Sequence, residues 1–367
     1  VERSRGLGDV YKRQISNFIA TDTNNNMKYD KIGILIKNKG TSSIFPKSIE
    51  FFSSNDKITW NINRTFKINS NEETALIIST SNVSLEIPSN TSYDFTIIFS
   101  YSGSEKKQYT VPILVHFDKL ESVNLPMNNL LLWLKPDVFF ALSNKSEIGL
   151  WIDSSPNNHN AIQLTGSYKP KLLLNNIEYN PSIFFNGVNN FLSLNDFSYN
   201  TSNLSFFIVF KPINTELIGH LIGHYDWGTN ERSWLIRVHE RRINALFSKN
   251  GSFDEETGKN CFSSSLILSS QTVLSEISWN KGNISMYINN IYQNVIETKS
   301  NSSFSSLHDS KADITIGASL YNSLAKLFYH GSIAEILIYE KTLNESERQN
   351  ITNYLMLKWN IVKPFVK

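Results

Sequence analysis

The segment HYDWGTNERSWLIRVHERR, His224 to Arg242, brings aromatic and basic side chains together at spacings that could grip a ligand. Its first part reads as a loop carrying Tyr225, Asp226 and Trp227, and its second as an alternating strand in which Trp234, Ile236 and Val238 share one face. The two-residue period then leaves Arg237, His239 and Arg241 on the other face. Aromatic rings with arginines can stack on sugar rings, and the planar guanidinium can fork onto carboxylates or sulfates. The expected ligand-binding set is therefore Tyr225, Trp227, Arg237, His239 and Arg241, although a merely solvated strand face would show the same pattern.

A second cluster lies in WIDSSPNNHNA, where Asp153, Asn157 and Asn158, with neighbouring carbonyls, could furnish several of the roughly six to eight oxygens around a calcium ion. The same residues could instead fold an Asx turn, with the Asp153 carboxylate accepting backbone NH groups two residues on. Calcium is the one cofactor that the sequence raises. GHLIGH sets His220 and His224 four apart but lacks the glutamate of an H-E-x-x-H zinc site, and it reads as a strand. The single Cys261 excludes an intramolecular disulfide, and no G-x-S-x-G elbow motivates serine hydrolysis. Net charge is +2, and no run of like charges forms the basic patch of a nucleic-acid binder. No apolar stretch approaches the about 18 residues of a membrane span.

Positioning these groups falls to β-strands. From Ile15 to Lys119 the segments KIGILIKN, SIEFFSS, ITWNIN, TALIIST, SYDFTIIFSYS and KQYTVPILVHF recur between Gly, Ser, Asn and Pro, which predicts a small immunoglobulin-like sandwich over residues 15–119. IKNKGTSSI places an Asn-Lys-Gly turn between two of these strands. Residues 120–129 carry no periodicity and read as a linker. The late segment GSIAEILIY is apolar on both faces, so it must lie inside a sheet covered on both sides. Asn344 followed by Glu347 has capping-box spacing, and Ile351, Tyr354 and Leu355 give the ensuing short helix one apolar stripe. Trp133, Trp151, Phe185 and Phe191 are expected in the core, with Asn186-Gly187 as a tight turn. DVYKRQ, Asp9 to Gln14, resembles the conceptual translation of a sequencing-library adapter. Val1 to Gln14 are therefore expected to be an artefact, with the true N-terminus and any signal or anchor lost.

From Leu130 onward the landmarks LLLWLKPD, GLWIDSSPNNHNAIQ, PSIFFNGVNNFLSL, SFFIVFKP, ISMYINNIYQNV and DITIGAS follow in order, and G-x-I-A-E-I-L-I-Y with Y-L-x-x-K-W closes the series. This part of the chain resembles the laminin-G-like domains of the concanavalin A-like lectin/glucanase superfamily. The resemblance implies a jelly-roll sandwich over residues 130–363 and a binding or adhesion role. Glucanases of that superfamily set two carboxylates about 5 Å apart, on one strand as E-x-D-x-E or E-x-D-x-x-E, and this chain has no such pattern.

The fold class expected is all-β: a small immunoglobulin-like sandwich followed by a concanavalin A-like jelly roll with a short C-terminal helix. The expected function is a non-enzymatic extracellular or cell-surface binding and adhesion module that recognises carbohydrate. Its partner would be a glycan or glycoprotein surface, not nucleic acid, and self-association stays open. Two alternatives remain: a structural, pilin-like subunit of a surface appendage or layer, and an accessory binding domain of a longer glycoside hydrolase.

Overall fold

The structure, a computed structural model, describes residues 13–21, 31–38, 43–52, 57–61, 68–69, 72–79, 91–101, 103–115, 125–139, 142–178, 180–299 and 303–361. The chain divides into two compact units, Val1–Leu120 with Val138–Leu142, and Glu121–Asp137 with Ser143–Lys367. Among the described residues no helix is long and apolar enough to cross a membrane.

Among the described residues, seven antiparallel strands build the first unit. Arg13–Thr21, Lys31–Asn38 and Glu73–Ser79 form one sheet in that order, and Lys57–Asn61, Ile44–Phe52, Thr91–Tyr101 and Gly103–Val115 form the other. This is the three-plus-four division of an immunoglobulin-like sandwich, with the fourth strand paired to the third instead of the fifth. Pro112 lies in an edge strand and Pro46 beside a register shift, the two places where a missing NH is tolerated. Arg13 and Gln14, within the stretch expected to be an artefact, pair with Asn38 and Lys37, and backbone pairing with Lys31–Asn38 sets that register regardless of side-chain pattern. Val1 to Lys12, and the turn residues Lys39 and Gly40, lie outside the described residues.

The second unit is a sandwich of two large sheets. The eight-stranded sheet runs Lys171–Ile177, Asn180–Asn186, His330–Tyr339, Asn203–Pro212, Val273–Asn280, Asn283–Ile288 and Ile291–Gln293, with Leu130–Leu134 paired to the far half of His330–Tyr339. The eleven-stranded sheet centres on Gly219–Asp226, Glu231–His239, Arg242–Ser248 and Gly258–Phe262, and the short hairpin Ser319–Tyr321 with Leu324–Lys326 joins it at Asp226. Alternation decides what meets between the sheets: Phe206 packs on Trp234 and Phe247 on Trp279, both with ring centroids 4.9 Å apart. Trp151 and Phe185 are fully buried as expected. Phe191 is only half-buried, lying against the rings of Tyr168 and Phe328 at the rim. Gly187, at φ +72°, makes the turn.

Strand His330–Tyr339 has a second apolar face because the helix Glu345–Lys358 lies on it. Asn344 caps that helix by accepting from the Glu347 NH while Glu347 reaches back, and Ile351, Tyr354 and Leu355 are buried. They pack on Phe207, Val209, Leu274, Leu337 and Tyr339, with Leu125 and Met127 alongside. In the middle of this layer sits Glu335, with no exposed surface. Its carboxylate accepts from Trp133 Nε1 at 2.7 Å, the Tyr354 hydroxyl at 2.9 Å and Trp359 Nε1 at 2.9 Å, and it pairs with Lys358 Nζ at 2.9 Å. Lys358 also meets Asp137. Burial opposes its charge, but the Asp137 and Glu335 carboxylates outweigh that and hold its pKa well above the usual lysine value.

Removing one partner of such a pair leaves the other buried and unpaired, so Glu335→Ala should cost about 3–5 kcal/mol in urea unfolding. Leu355→Ala should cost about 2–5 kcal/mol through the cavity it opens. The double change Glu335→Leu with Lys358→Met should recover only the charge-pairing part of the Glu335→Ala loss, because the Trp133 and Trp359 indole NH groups and the Tyr354 hydroxyl stay without their acceptor. An unchanged midpoint in both single variants would show that the helix does not clasp the sheet.

Candidate functional site

At the turn between Gly219–Asp226 and Glu231–His239, the chain exposes an aromatic pair on a rigid mount. The rings of Trp227 and Tyr321 have centroids 4.1 Å apart at an interplanar angle of 37°. Each residue keeps 38% of its surface in solvent, which makes the pair a composite apolar ledge instead of core. The mount is Asp226, which is almost fully buried. Its Oδ1 accepts from the Gly228 and Asn322 NH groups at 2.9 Å each, and its Oδ2 from the Ser323 NH at 2.6 Å. Asn322 and Ser323 both have positive φ, the conformation of a two-residue hairpin turn, and the carboxylate satisfies the NH groups that this turn turns inward. Gly228 must be glycine here, since a Cβ would lie 2.5 Å from the Asn322 backbone nitrogen. Arg232 completes the brace, donating to the Trp227 and Gly251 carbonyls and to Asn230 Oδ1.

The five residues expected to bind do not form one cluster. Trp227 belongs to the ledge. Tyr225 packs with Leu235, Leu246 and Phe253 on the outer face of the sheet and is nearly buried. Arg237 and His239 do share that face: Arg237 Nε donates to Asn244 Oδ1 at 2.6 Å, and its Nη2 lies 3.3 Å from His239 Nδ1. Arg241 is not the third member of the row. The strand ends at His239, and Glu240 and Arg241, both with positive φ, form the hairpin turn, so the alternation stops there. Arg241 faces Glu216 at 3.6 Å, and Arg242, opposite His239 in the ladder, takes the place in the row. Among the described residues Arg237 has no ion-pair partner, and burial pulls its pKa down. From Arg232, beside Tyr225, to Arg237 is five strand residues, about 17 Å. Ledge and arginine row are opposite ends of one stripe.

Tyr321, Arg232 and Arg242 were not picked out from the sequence. The signal available for Tyr321 was the Tyr-Asn-Ser-Leu turn, which marks a hairpin but not which aromatic ring it would place beside Trp227.

The Asp153 loop converges as expected, on donors of the chain itself. Asp153 Oδ1 accepts from the Trp133 and Ser155 NH groups, and Oδ2 from the Ser155 hydroxyl and the His159 NH, at 2.6–2.9 Å. Asn157 Nδ2 donates to the Leu130 and Leu131 carbonyls, and Asn158 holds a positive φ. The geometry is that of an Asx turn that also staples strand Leu130–Leu134. A cation would have to displace these donors. Among the described residues no three His, Cys, Asp or Glu side chains gather as a metal site.

His220 and His224 lie in one strand but on opposite faces, because a register shift at Leu221 inverts the alternation. His220 is paired across from Arg237, whereas His224 points between the sheets, with Nδ1 2.9 Å from the Tyr199 hydroxyl and Nε2 3.6 Å from Asp196 Oδ1.

No protein-family model matches the chain, and no curated protein sequence matches it. Solved structures do resemble it. The CBM40 of the Ruminococcus gnavus IT-sialidase bound to α2,3-sialyllactose is 14% identical over 41% of this chain and 83% of its own length, with a TM-score of 0.33. The binding domain of botulinum neurotoxin serotype D is 14% identical over 63% of this chain and 53% of its own, at 0.40. Domain 4 of a GH43 extracellular arabinanase from Geobacillus stearothermophilus, in complex with arabinotriose, is 17% identical over 50% and 80%, at 0.33.

Two outcomes follow. Since the Asp153 oxygens are already taken by four donors, adding calcium or EDTA should leave the melting temperature unchanged; a calcium-dependent rise would place an ion there. Burial lowers the His224 pKa to about 4, opposed by the Asp196 carboxylate. An unfolded histidine titrates near 6.5, so the unfolded state binds the proton first on acidification. The stabilisation is complete above about pH 6.5 and is lost as the pH falls towards 4, by about 3 kcal/mol. His220 is shifted in the same direction. Urea midpoints measured from pH 7 to pH 4 should fall, and His224→Gln should flatten part of that slope.

Proposed function

We propose that the chain is a non-enzymatic carbohydrate-binding module of laminin-G-like type, acting outside the cell or at its surface, and that it holds a sugar chain along the outer face of the eleven-stranded sheet. The observation carrying this reading is the ledge: two rings left in solvent while a buried aspartate, a braced arginine and a close-approach glycine fix their position. Rigid aromatic surface loses little conformational entropy on binding, which suits a stacking platform for the apolar face of a pyranose. Arg237 and His239, roughly 17 Å farther along the same face, offer hydrogen-bond donors to a later residue of the same chain. The site thus favours oligosaccharides over single sugars. The ordered series of landmarks from Leu130 to Trp359 supports the laminin-G-like assignment.

Trp227→Ala and Tyr321→Ala should each weaken binding on a glycan array about tenfold, from the loss of about 1–1.5 kcal/mol of stacking. Each change also removes the stacking of the two half-exposed rings on one another, so stability should fall by about 0.5–1.5 kcal/mol without loss of folding. Asp226→Ala should abolish binding and lower stability together, because it frees three NH groups. Retained binding by the Trp227→Ala, Tyr321→Ala double variant would remove the ledge from the site.

A further inference from the structure

Lys358, at the end of the helix, stands between two carboxylates supplied by distant segments. Its Nζ lies 2.5 Å from Oδ2 of Asp137, in the short helical turn Pro136–Phe139 that follows strand Leu130–Leu134. It also lies 2.9 Å from Oε2 of Glu335, in strand His330–Tyr339. Asp137 Cγ is one carbon–oxygen bond beyond Oδ2, so it sits no more than about 3.7 Å from the nitrogen. Reacting atoms in a productive arrangement are roughly 3–3.5 Å apart.

Surface ion pairs are commonplace and slack, and this cluster differs from them in two ways. First, it is enclosed. The Lys358 side chain is 5% exposed and that of Glu335 not at all, while Asp137 keeps 37%, so the way out to solvent runs past Asp137. The Tyr354 and Trp359 rings stand 5.5 and 5.3 Å from the ammonium, which also donates to the Tyr354 hydroxyl. Lys311 meets two carboxylates as well, but 61% of its side chain is in solvent. Second, the second acid is immobile. Trp133 and Tyr354 donate to Glu335 Oε1 and Trp359 to Oε2, which holds that oxygen against Nζ.

An amine pressed on a carboxyl carbon, with a fixed proton acceptor on the same nitrogen, has the parts needed to form an amide. The resting pair is ammonium and carboxylate. Asp137 takes one ammonium proton across the short contact, which leaves both partners neutral, and the freed lone pair attacks Cγ. Glu335 then accepts a second proton from Nζ and hands it to the departing hydroxyl, which leaves as water. The Nζ–Cγ bond forms, one Cγ–O bond breaks, the two charges cancel, and no oxidant or cofactor is consumed. Condensation is unfavourable in open water, but groups held in place act at effective molarities on the order of 10⁵ M and above. Nothing is stranded by the product, because the new amide NH still faces Glu335.

We propose that Lys358 and Asp137 condense after folding into an intramolecular isopeptide bond, with Glu335 as the catalytic residue that moves the proton. The bond locks the end of the helix to the turn after strand Leu130–Leu134. Tension applied to the chain before Asp137 and after Lys358 then passes through one covalent link, and residues 138–357 carry none of it. This modification stands independently of the sugar reading.

The test weighs the intact full chain after incubation at neutral pH until its mass is constant. A mass one water below that of the sequence is expected, with trypsin unable to cleave after Lys358 and tandem spectra showing the Asp137 and Lys358 peptides joined. Asp137→Ala and Glu335→Gln should each restore the full mass and the cleavage. Asp137 is partly exposed, so its variant keeps the fold, and circular dichroism checks both. In denaturing gels the linked chain should run ahead of Asp137→Ala, because a closed loop stays more compact. A folded unaltered chain with the full mass and normal cleavage after Lys358 overturns the proposal and leaves an ordinary buried ion pair. A missing water that maps elsewhere overturns it too, and linkage at an undiminished rate in Glu335→Gln removes Glu335 from the reaction.

Discussion

A buried carboxylate with no water must be surrounded by donors, and Glu335 organises the second unit by imposing that requirement. Its donors come from two places far apart in sequence: Trp133 on the first strand of the unit, and Tyr354, Lys358 and Trp359 at the end of the helix and just beyond it. None of these groups can turn away without leaving charge unpaired in an apolar layer. The helix is therefore fixed in rotation as well as position. Its apolar stripe alone would permit some sliding over Phe207, Val209 and Leu337, but two indole NH groups and an ammonium aimed at one side chain do not.

The same device recurs at smaller scale. Asp153 gathers four donors and thereby joins its loop to strand Leu130–Leu134, and Asp226 gathers three to join the Trp227 turn to the hairpin at Asn322. In each case an acid that sequence inspection would offer to a metal or to catalysis is consumed in holding backbone. What remains in solvent is the surface these acids position, above all the Trp227 and Tyr321 rings.

Much of the fold was legible because it rests on period and on local hydrogen bonding. The two apolar faces of His330–Tyr339 required a cover, and the capping box at Asn344 announced the helix that supplies it. Of the first-unit strands, Lys31–Asn38, Lys57–Asn61, Glu73–Ser79 and Thr91–Tyr101 were read to within two residues, Ile44–Phe52 and Gly103–Val115 begin four residues earlier than read, and Arg13–Thr21 was not read, its ladder with Lys31–Asn38 needing no strong side-chain alternation. The candidate site was less legible, since single-residue irregularities control it. A register shift at Leu221 separates His220 from His224, another leaves Ser233 unpaired between Trp234 and Arg232, and the turn at Glu240 and Arg241 ends the basic row early. Each inverts or stops the two-residue period, and none leaves a mark as clear as a proline. Glu335 itself was hidden for a different reason. One acid among alternating apolar residues looks like an exposed position until the covering helix is in place.

Covering one sheet and leaving the other also constrains where binding can occur. The helix and the segment around Leu125 and Met127 occupy the outer face of the eight-stranded sheet, so an extended ligand has only the other outer face to lie along. There Trp227 and Tyr321 stand in solvent at one end and Arg237 and Arg242 are half-buried at the other, while Tyr225, Leu235 and Leu246 between them are buried with Phe253 packed against them. A ligand along this face would therefore meet it at its two ends and not in the middle. On its own sheet the helix is held at its N-terminal corner too, where Arg348 is tied into Glu276 and cannot swing aside without breaking a buried ion pair.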